Sequence, residues 1–147
     1  MVQVSNTESY TIEDWQNDIS LARDAHIDGF VLNIARDEAT NGQSLANAFT
    51  AANNLGSTFK LFFSFDYAGN GLWPADQVIN LINKYAGNAA YYHRGSQPLV
   101  STFEGPKAHA DWPGIKAKTN CFFIPSWSSL GAAPAWAYGV ADGLFSW

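Results

Sequence analysis

The sequence is short of charge. Asp, Glu, Lys and Arg make up 14% of its 147 residues, and only 8 of these are Lys or Arg, for a net charge of −5. With no basic run, a nucleic-acid partner is not expected. A single cysteine, Cys121, excludes an internal disulfide framework; it opens an apolar run and reads as a small buried hydrophobe. The three histidines, at 26, 93 and 109, share no metal-ligand spacing, so no metal site is read from them. No stretch reaches the roughly 18–20 continuous apolar residues of a membrane span. The opening "MVQVSNTESY" has no basic region followed by an apolar one, so no leader is read there. Glycine is missing where a dinucleotide fold needs it: the turn after the first apolar run is "SNTESYT". Neither a GxxxxGK(S/T) loop nor a GxSxG elbow occurs.

Apolar residues, by contrast, are 47% of the chain and aromatics 15%, enough for one domain with a substantial core. Strand-like runs recur: "VQV" (2–4), "GFVLNI" (29–34), "FKLFFSF" (59–65), "PLVSTF" (98–103), "CFFIPSW" (121–127) and "GLFSW" (143–147). They do not alternate apolar with polar, so they read as strands buried on both faces. Between them lie helical patterns at 12–25, 44–55, 75–86 and near 107–118, with a weaker one at 132–140. The first is signalled by Thr11 and Asp14 as a capping pair, and by Ile12, Trp15, Ile19 and Ala22 on one face. Alternating β and α predicts a parallel sheet, in an open doubly wound form or as a (β/α)₈ barrel. Polar residues end nearly every strand, which favours the barrel, where all carboxyl ends share one functional face. Six strands are counted, and complete barrels run to about 250 residues. The expectation is therefore one partial barrel domain over 1–147, about six of eight βα units, truncated at both ends.

The candidate chemistry lies at those strand ends. "FSFD" and "STFE" place Asp66 and Glu104 in matched frames, on strands that neighbour each other if the barrel reading holds. Paired carboxylates flanking a sugar bond are the machinery of glycoside hydrolysis, one as acid and one as base or nucleophile. The competing reading is that each merely caps a turn. Asp37, just past the second strand, is the third catalytic candidate, though Arg36 and Glu38 beside it also suit a solvated loop. Asn6 and Asn33 are candidates to bond sugar hydroxyls, or loop backbone. Tyr67, Trp127 and Trp147 offer rings that could stack on sugars, with core packing as the alternative. His109 lies close enough after Glu104 to line a cleft.

The segments "VSNTESYTIEDWQNDISLARDAHIDGFVLNI", "FKLFFSFDYAG", "VINLINKYAG", "PLVSTFEGP", "CFFIPSWSSLG" and "VADGLFSW" together resemble, in order and over essentially the whole chain, glycoside hydrolase family 71, the fungal α-1,3-glucanases or mutanases. The resemblance implies a (β/α)₈ catalytic barrel and inverting endo-hydrolysis of α-1,3-glucan, with a polysaccharide as the only partner. It also implies a secreted or cell-wall location for the parent protein, and no cofactor. It places the catalytic Asp and Glu in a W-N-D-x-x-E-S-like segment that this sequence does not contain, and makes Asp66 and Glu104 substrate-binding or pKa-tuning residues rather than the acid and base. It matches Asp37 to a family acid just past the second strand, ranking it with those two. "FIPSWSS" departs from the family by having Ser126 where an acid is usual. Two other readings stay open: a glucan-binding protein without catalysis, and a different polysaccharide hydrolase working through Asp66 and Glu104.

Overall fold

The structure, a computed structural model, describes residues 1–146. Strand β1 (Val2–Gln3) leads through a tight turn at Val4–Thr7 into helix α1 (Ile12–Asp24). Thr11 caps α1: its hydroxyl accepts the Asp14 N–H, and the Asp14 carboxylate takes the Thr11 N–H in return. Then follow β2 (Gly29–Ala35), α2 (Thr40–Asn54), β3 (Lys60–Asp66), α3 (Ala75–Tyr85), β4 (His93–Arg94) and β5 (Gln97–Phe103). A short 3₁₀ stretch at Pro106–Asp111 precedes α4 (Trp112–Thr119), β6 (Phe122–Phe123) and α5 (Ala132–Ala137). Pro113 does not interrupt α4, because it stands in the first turn, where no intrahelical N–H bond is lost.

Strands β1, β2, β3, β5 and β6 pair in that order and all in parallel. Register assigns the two faces. Leu32, Phe63 and Val100 stand side by side on one face, joined by Phe123. Phe63 meets Phe49 of α2 and Tyr85 of α3, and Phe123 stacks on Trp112 of α4. Helices on successive strands thus cover one face, whereas a doubly wound sheet would carry them on both.

The other face carries Gln3, Asn33, Ser64 and Ser101, with half-buried Phe62 and Phe122. This face is concave. Phe145 is tied to the β6 side through its N–H to Pro125 O, yet its ring lies 6.3 Å from Phe62 of β3. A flat sheet would separate those positions by roughly three strand spacings, about 14 Å. The architecture is α/β, a partial (β/α)₈ barrel with its helices outside.

Two features depart from the sequence reading. The expected sixth strand at 143–147 is not a strand over its described part. Asp142 N–H and Phe145 N–H bond Phe123 O and Pro125 O, and no continuous ladder forms. The Asp142 side chain takes the place of a ladder bond, accepting the Phe123 N–H at 2.9 Å while Lys116 pairs with it at 2.7 Å. The second departure is β4, which turns at Gly95 into an antiparallel pair with β5. The residues just before it wedge between β3 and β5 at their amino ends. Leu61 N–H bonds Ala90 O, Tyr92 N–H bonds Leu61 O, and Leu99 N–H bonds Tyr92 O.

Candidate active site

The carboxyl ends of the strands hold most of the polar residues singled out above. On the concave face Gln3, Asn33 and Asp66 form one row. The Asn33 amide donates to Gln3 Oε1 at 2.7 Å and to Asp66 Oδ2 at 3.0 Å. Asp66 is only 8% exposed, and its other oxygen accepts the N–H groups of Ala68 and Gly69, both at 2.9 Å. Its backbone carbonyl takes the Trp73 indole N–H. Asp66 therefore folds the loop after β3 around itself. Asn33 Oδ1 and Ser64 Oγ remain buried on this face without a protein partner.

Glu104 sits differently. Strand alternation would turn it toward the helices, one residue past Phe103. Instead its backbone is left-handed, φ 54°, and Gly105 follows at φ 92°. This double turn carries the carboxylate to the loop after β6. There Oε1 accepts Ser128 Oγ–H and Ser129 N–H, both at 2.9 Å, and Oε2 accepts Ser129 Oγ–H. Partial burial pulls the carboxyl upward, but the Ser129 hydroxyl and N–H and the Ser128 hydroxyl together hold it below the ordinary glutamate value. Glu104 is ionised at neutral pH. It borders a groove of about 440 Å³ with Tyr67, Leu72, Gly105, Pro106, Lys107 and Ser129 among its lining.

Asp37 is exposed at a left-handed turn after β2 and pairs with Arg36 at 2.8 Å. Arg36 also donates to Leu72 O, and Asn70 donates to Arg36 O and Glu38, so the loops after β2 and β3 are strapped together. Asn6 is exposed in the turn after β1. The rings of Tyr67 and Trp127 are 5% and 3% exposed, packed in the core, although each borders a groove. His109 lies outside the Glu104 groove, stacked on Tyr138, with Nδ1 against Pro106 O. Trp147 lies outside the described residues.

The structure thus joins Asn33 to Asp66, and Glu104 to the same groove as Tyr67. Asp37, Asn6 and His109 border neither the row nor the groove. Ser128, Ser129 and Gln3 were not singled out as site residues in advance. Gln3 was accessible from register, since it stands opposite Asn33. The serines gave only the weaker signal of hydroxyls just past a strand end. Among the described residues no group of three His, Cys, Asp or Glu could hold a metal, and no helix is long and apolar enough to cross a membrane.

Comparison with solved structures supports the same architecture. Two structures of the GH99 endo-alpha-mannosidase from Bacteroides thetaiotaomicron superpose on 92% of the chain with TM-scores of 0.70 and 0.72, at 17% identity, covering 46% and 43% of those chains. That likeness concerns the fold alone. Sequence relatives are nearer. Glucan endo-1,3-alpha-glucosidase agn1 of Schizosaccharomyces pombe is 34% identical over 98% of this chain and 36% of its own length. A mutanase of Penicillium rubens is 30% identical over 98% of this chain and 32% of its own. The ascus wall endo-1,3-alpha-glucanase of S. pombe is 27% identical over 96% of this chain and 35% of its own. The chain spans about a third of the length of these curated relatives. The family model for glycosyl hydrolase family 71 matches residues 1–147 from end to end, and the chain belongs to that family.

Proposed function

We propose that this chain is part of an enzyme that cleaves α-1,3-glucosidic bonds within α-1,3-glucan, in endo fashion and with inversion, acting as a secreted or wall-bound protein. Its own contribution is to bind the glucan across the carboxyl-terminal ends of β2, β3, β5 and β6. The observation that carries this reading is the set of relatives above, all three named as 1,3-α-glucanases or a mutanase and each aligned over nearly the whole chain. The row of Asn33 and Asp66 and the groove at Glu104 supply hydroxyl-bonding groups on the face where barrels place substrate.

The geometry favours binding over bond cleavage by these particular acids. A glycosidase acid is kept protonated, whereas three donors hold Glu104 ionised. Asp66 already accepts three donors of its own fold. The reading in which Asp66 and Glu104 are the acid and base is therefore the weaker one.

Co-sedimentation separates these alternatives. The full chain is expected to pellet with insoluble α-1,3-glucan and to stay in solution with cellulose. It is expected to release no reducing sugar that depends on Glu104. Failure to pellet with α-1,3-glucan overturns the proposal. Reducing-sugar release that is lost in Glu104→Gln overturns the binding role and restores the carboxylate pair.

A further inference from the structure

The feature that the function leaves unexplained is the effort spent on Glu104. A non-glycine residue in the left-handed region costs roughly 1–2 kcal/mol, and glutamate has no local side-chain compensation of the kind Asn or Asp can make. Here that conformation is used to bring one carboxylate to two consecutive serines of another loop. Ser128 Oγ–H and Ser129 N–H fill Oε1, and Ser129 Oγ–H fills one site of Oε2. A carboxylate offers about four lone-pair sites. Three are occupied, which leaves the fourth, on Oε2, open in a residue that lines the groove. The other titratable groups lining the groove with Glu104 are Lys107 and Tyr67; the loop after β6 meets the carboxylate with hydroxyls and an N–H group. The ion pairs among the described residues are Arg36–Asp37 and Lys116–Asp142, so Lys107 does not neutralise Glu104.

We infer that Ser129, assisted by Ser128, is a positioning residue that fixes the Glu104 carboxylate so that its one remaining acceptor site takes a hydroxyl of the bound glucan. The inference rests on the glucan-binding reading above and adds the device that makes Glu104 a hydroxyl acceptor. Removing the Ser129 hydroxyl takes away the only donor that holds Oε2 among the described residues, so the direction of its open acceptor site is no longer fixed. It also removes a donor that favours the ionised form, so the group titrates at higher pH.

The test uses the full chain and a soluble α-1,3-linked gluco-oligosaccharide, with affinity from calorimetry and the Glu104 carboxyl followed by ¹³C NMR across pH. Ser129→Ala is expected to weaken binding about tenfold, the worth of one hydrogen bond to a charged group, and to move the Glu104 titration upward. Ser129→Thr, which keeps the hydroxyl, restores both. In a Glu104→Gln background Ser129→Ala changes affinity less than about twofold, because the coupled partner is gone. Ser128→Ala gives a smaller shift in the same direction, and carries the test if Ser129→Ala does not fold. A Glu104 titration that stays put in the serine variants overturns the inference. So does an affinity loss of equal size in the Glu104→Gln background. A wild-type chain that binds no α-1,3-oligosaccharide while the titration still moves overturns the glucan reading, but not the coupling of Ser129 to Glu104.

Discussion

Replacing Gly105 by alanine tests how the loop after β5 is built. Two terms add. The first is backbone: Gly105 has φ 92°, and a Cβ in the left-handed region costs about 1–2 kcal/mol. The second is contact. An added Cβ would stand 2.5, 2.7 and 2.9 Å from Tyr67 Cγ, Cβ and Cδ1. Tyr67 has little room to retreat, being 5% exposed and held by its own N–H to Phe103 O at 2.9 Å. Overpacking of this kind adds about 1–3 kcal/mol. The sum is about 2–5 kcal/mol, which for a domain of this size lowers Tm by about 4–20 °C. Two controls divide the terms in thermal melts. Gly71→Ala shares the backbone penalty, with φ 88°, but has nothing within 4 Å of its added Cβ, so it should lose only about 1–2 kcal/mol. Gly114→Ala, inside α4 with open space around it, should gain about 0.5–1 kcal/mol. In a Gly105→Ala/Tyr67→Ala double variant the contact term should vanish, leaving a favourable coupling of about 1–3 kcal/mol. A Gly105→Ala protein that melts no lower than Gly71→Ala would refute the claim that this glycine is required by the Tyr67 ring.

The other predictions concern polar clamps. Asp66→Ala strands the N–H groups of Ala68 and Gly69 and one amide donor of Asn33, and should cost about 3–5 kcal/mol in denaturant unfolding. Asp66→Asn should cost about 1–2 kcal/mol, because its oxygen can still accept the two backbone N–H groups; equal losses for the two variants would remove Asp66 from the role of loop organiser. Asp142→Ala leaves the Phe123 N–H without its acceptor and Lys116 with the Val140 carbonyl alone. It should cost about 2–4 kcal/mol, with faster hydrogen exchange at the Phe123 amide. Unchanged protection there would show that the 140–146 segment is held by other contacts.

Much of the scaffold was legible because its signals are local. The runs at 29–34, 59–65 and 98–103 became β2, β3 and β5 to within a residue at either end. Continuous apolar stretches bounded by turns admit few other readings once helices must cover them. Thr11 and Asp14 announced the start of α1, since a capping box is written within four residues. The misreading of 143–147 has a physical cause. "GLFSW" has strand composition, but a strand exists only where a ladder forms. Here two backbone bonds and the Asp142 carboxylate do the joining. Similarly, Tyr91 gives no sequence sign that its hydroxyl will reach Leu99 O and stand between two strands. At the site, position at a strand end was enough to single out Asn33 and Asp66, but that the two turn to one face and bond each other follows only from the register of β2 on β3. Glu104 was singled out in the same way, but its direction was not legible, because its left-handed backbone departs from strand geometry and only the glycine after it hints at a turn.

The polar residues of the carboxyl-terminal face are spent mostly on one another, and in a consistent pattern. The loop after β2 is fastened to the loop after β3 by Arg36, Asn70 and Glu38. The loop after β3 is wedged under the loop after β5, Tyr67 against Gly105. The loop after β5 is fastened to the loop after β6 by Glu104 and the two serines. Each strand-end loop thus holds the next around the face. Loops are ordinarily the mobile part of a barrel. A polymer with many similar hydroxyls gives a binding face little to discriminate except the spacing and direction of those hydroxyls. Acceptors on loosely held loops would have to be ordered at the moment of binding, at an entropic cost that subtracts from affinity. Bracing the loops pairwise moves that cost into folding, where the core beneath them can offset it. On the proposed glucan-binding reading, the carboxylates at the ends of β3 and β5 matter less as proton carriers than as the fixed points from which the face is built.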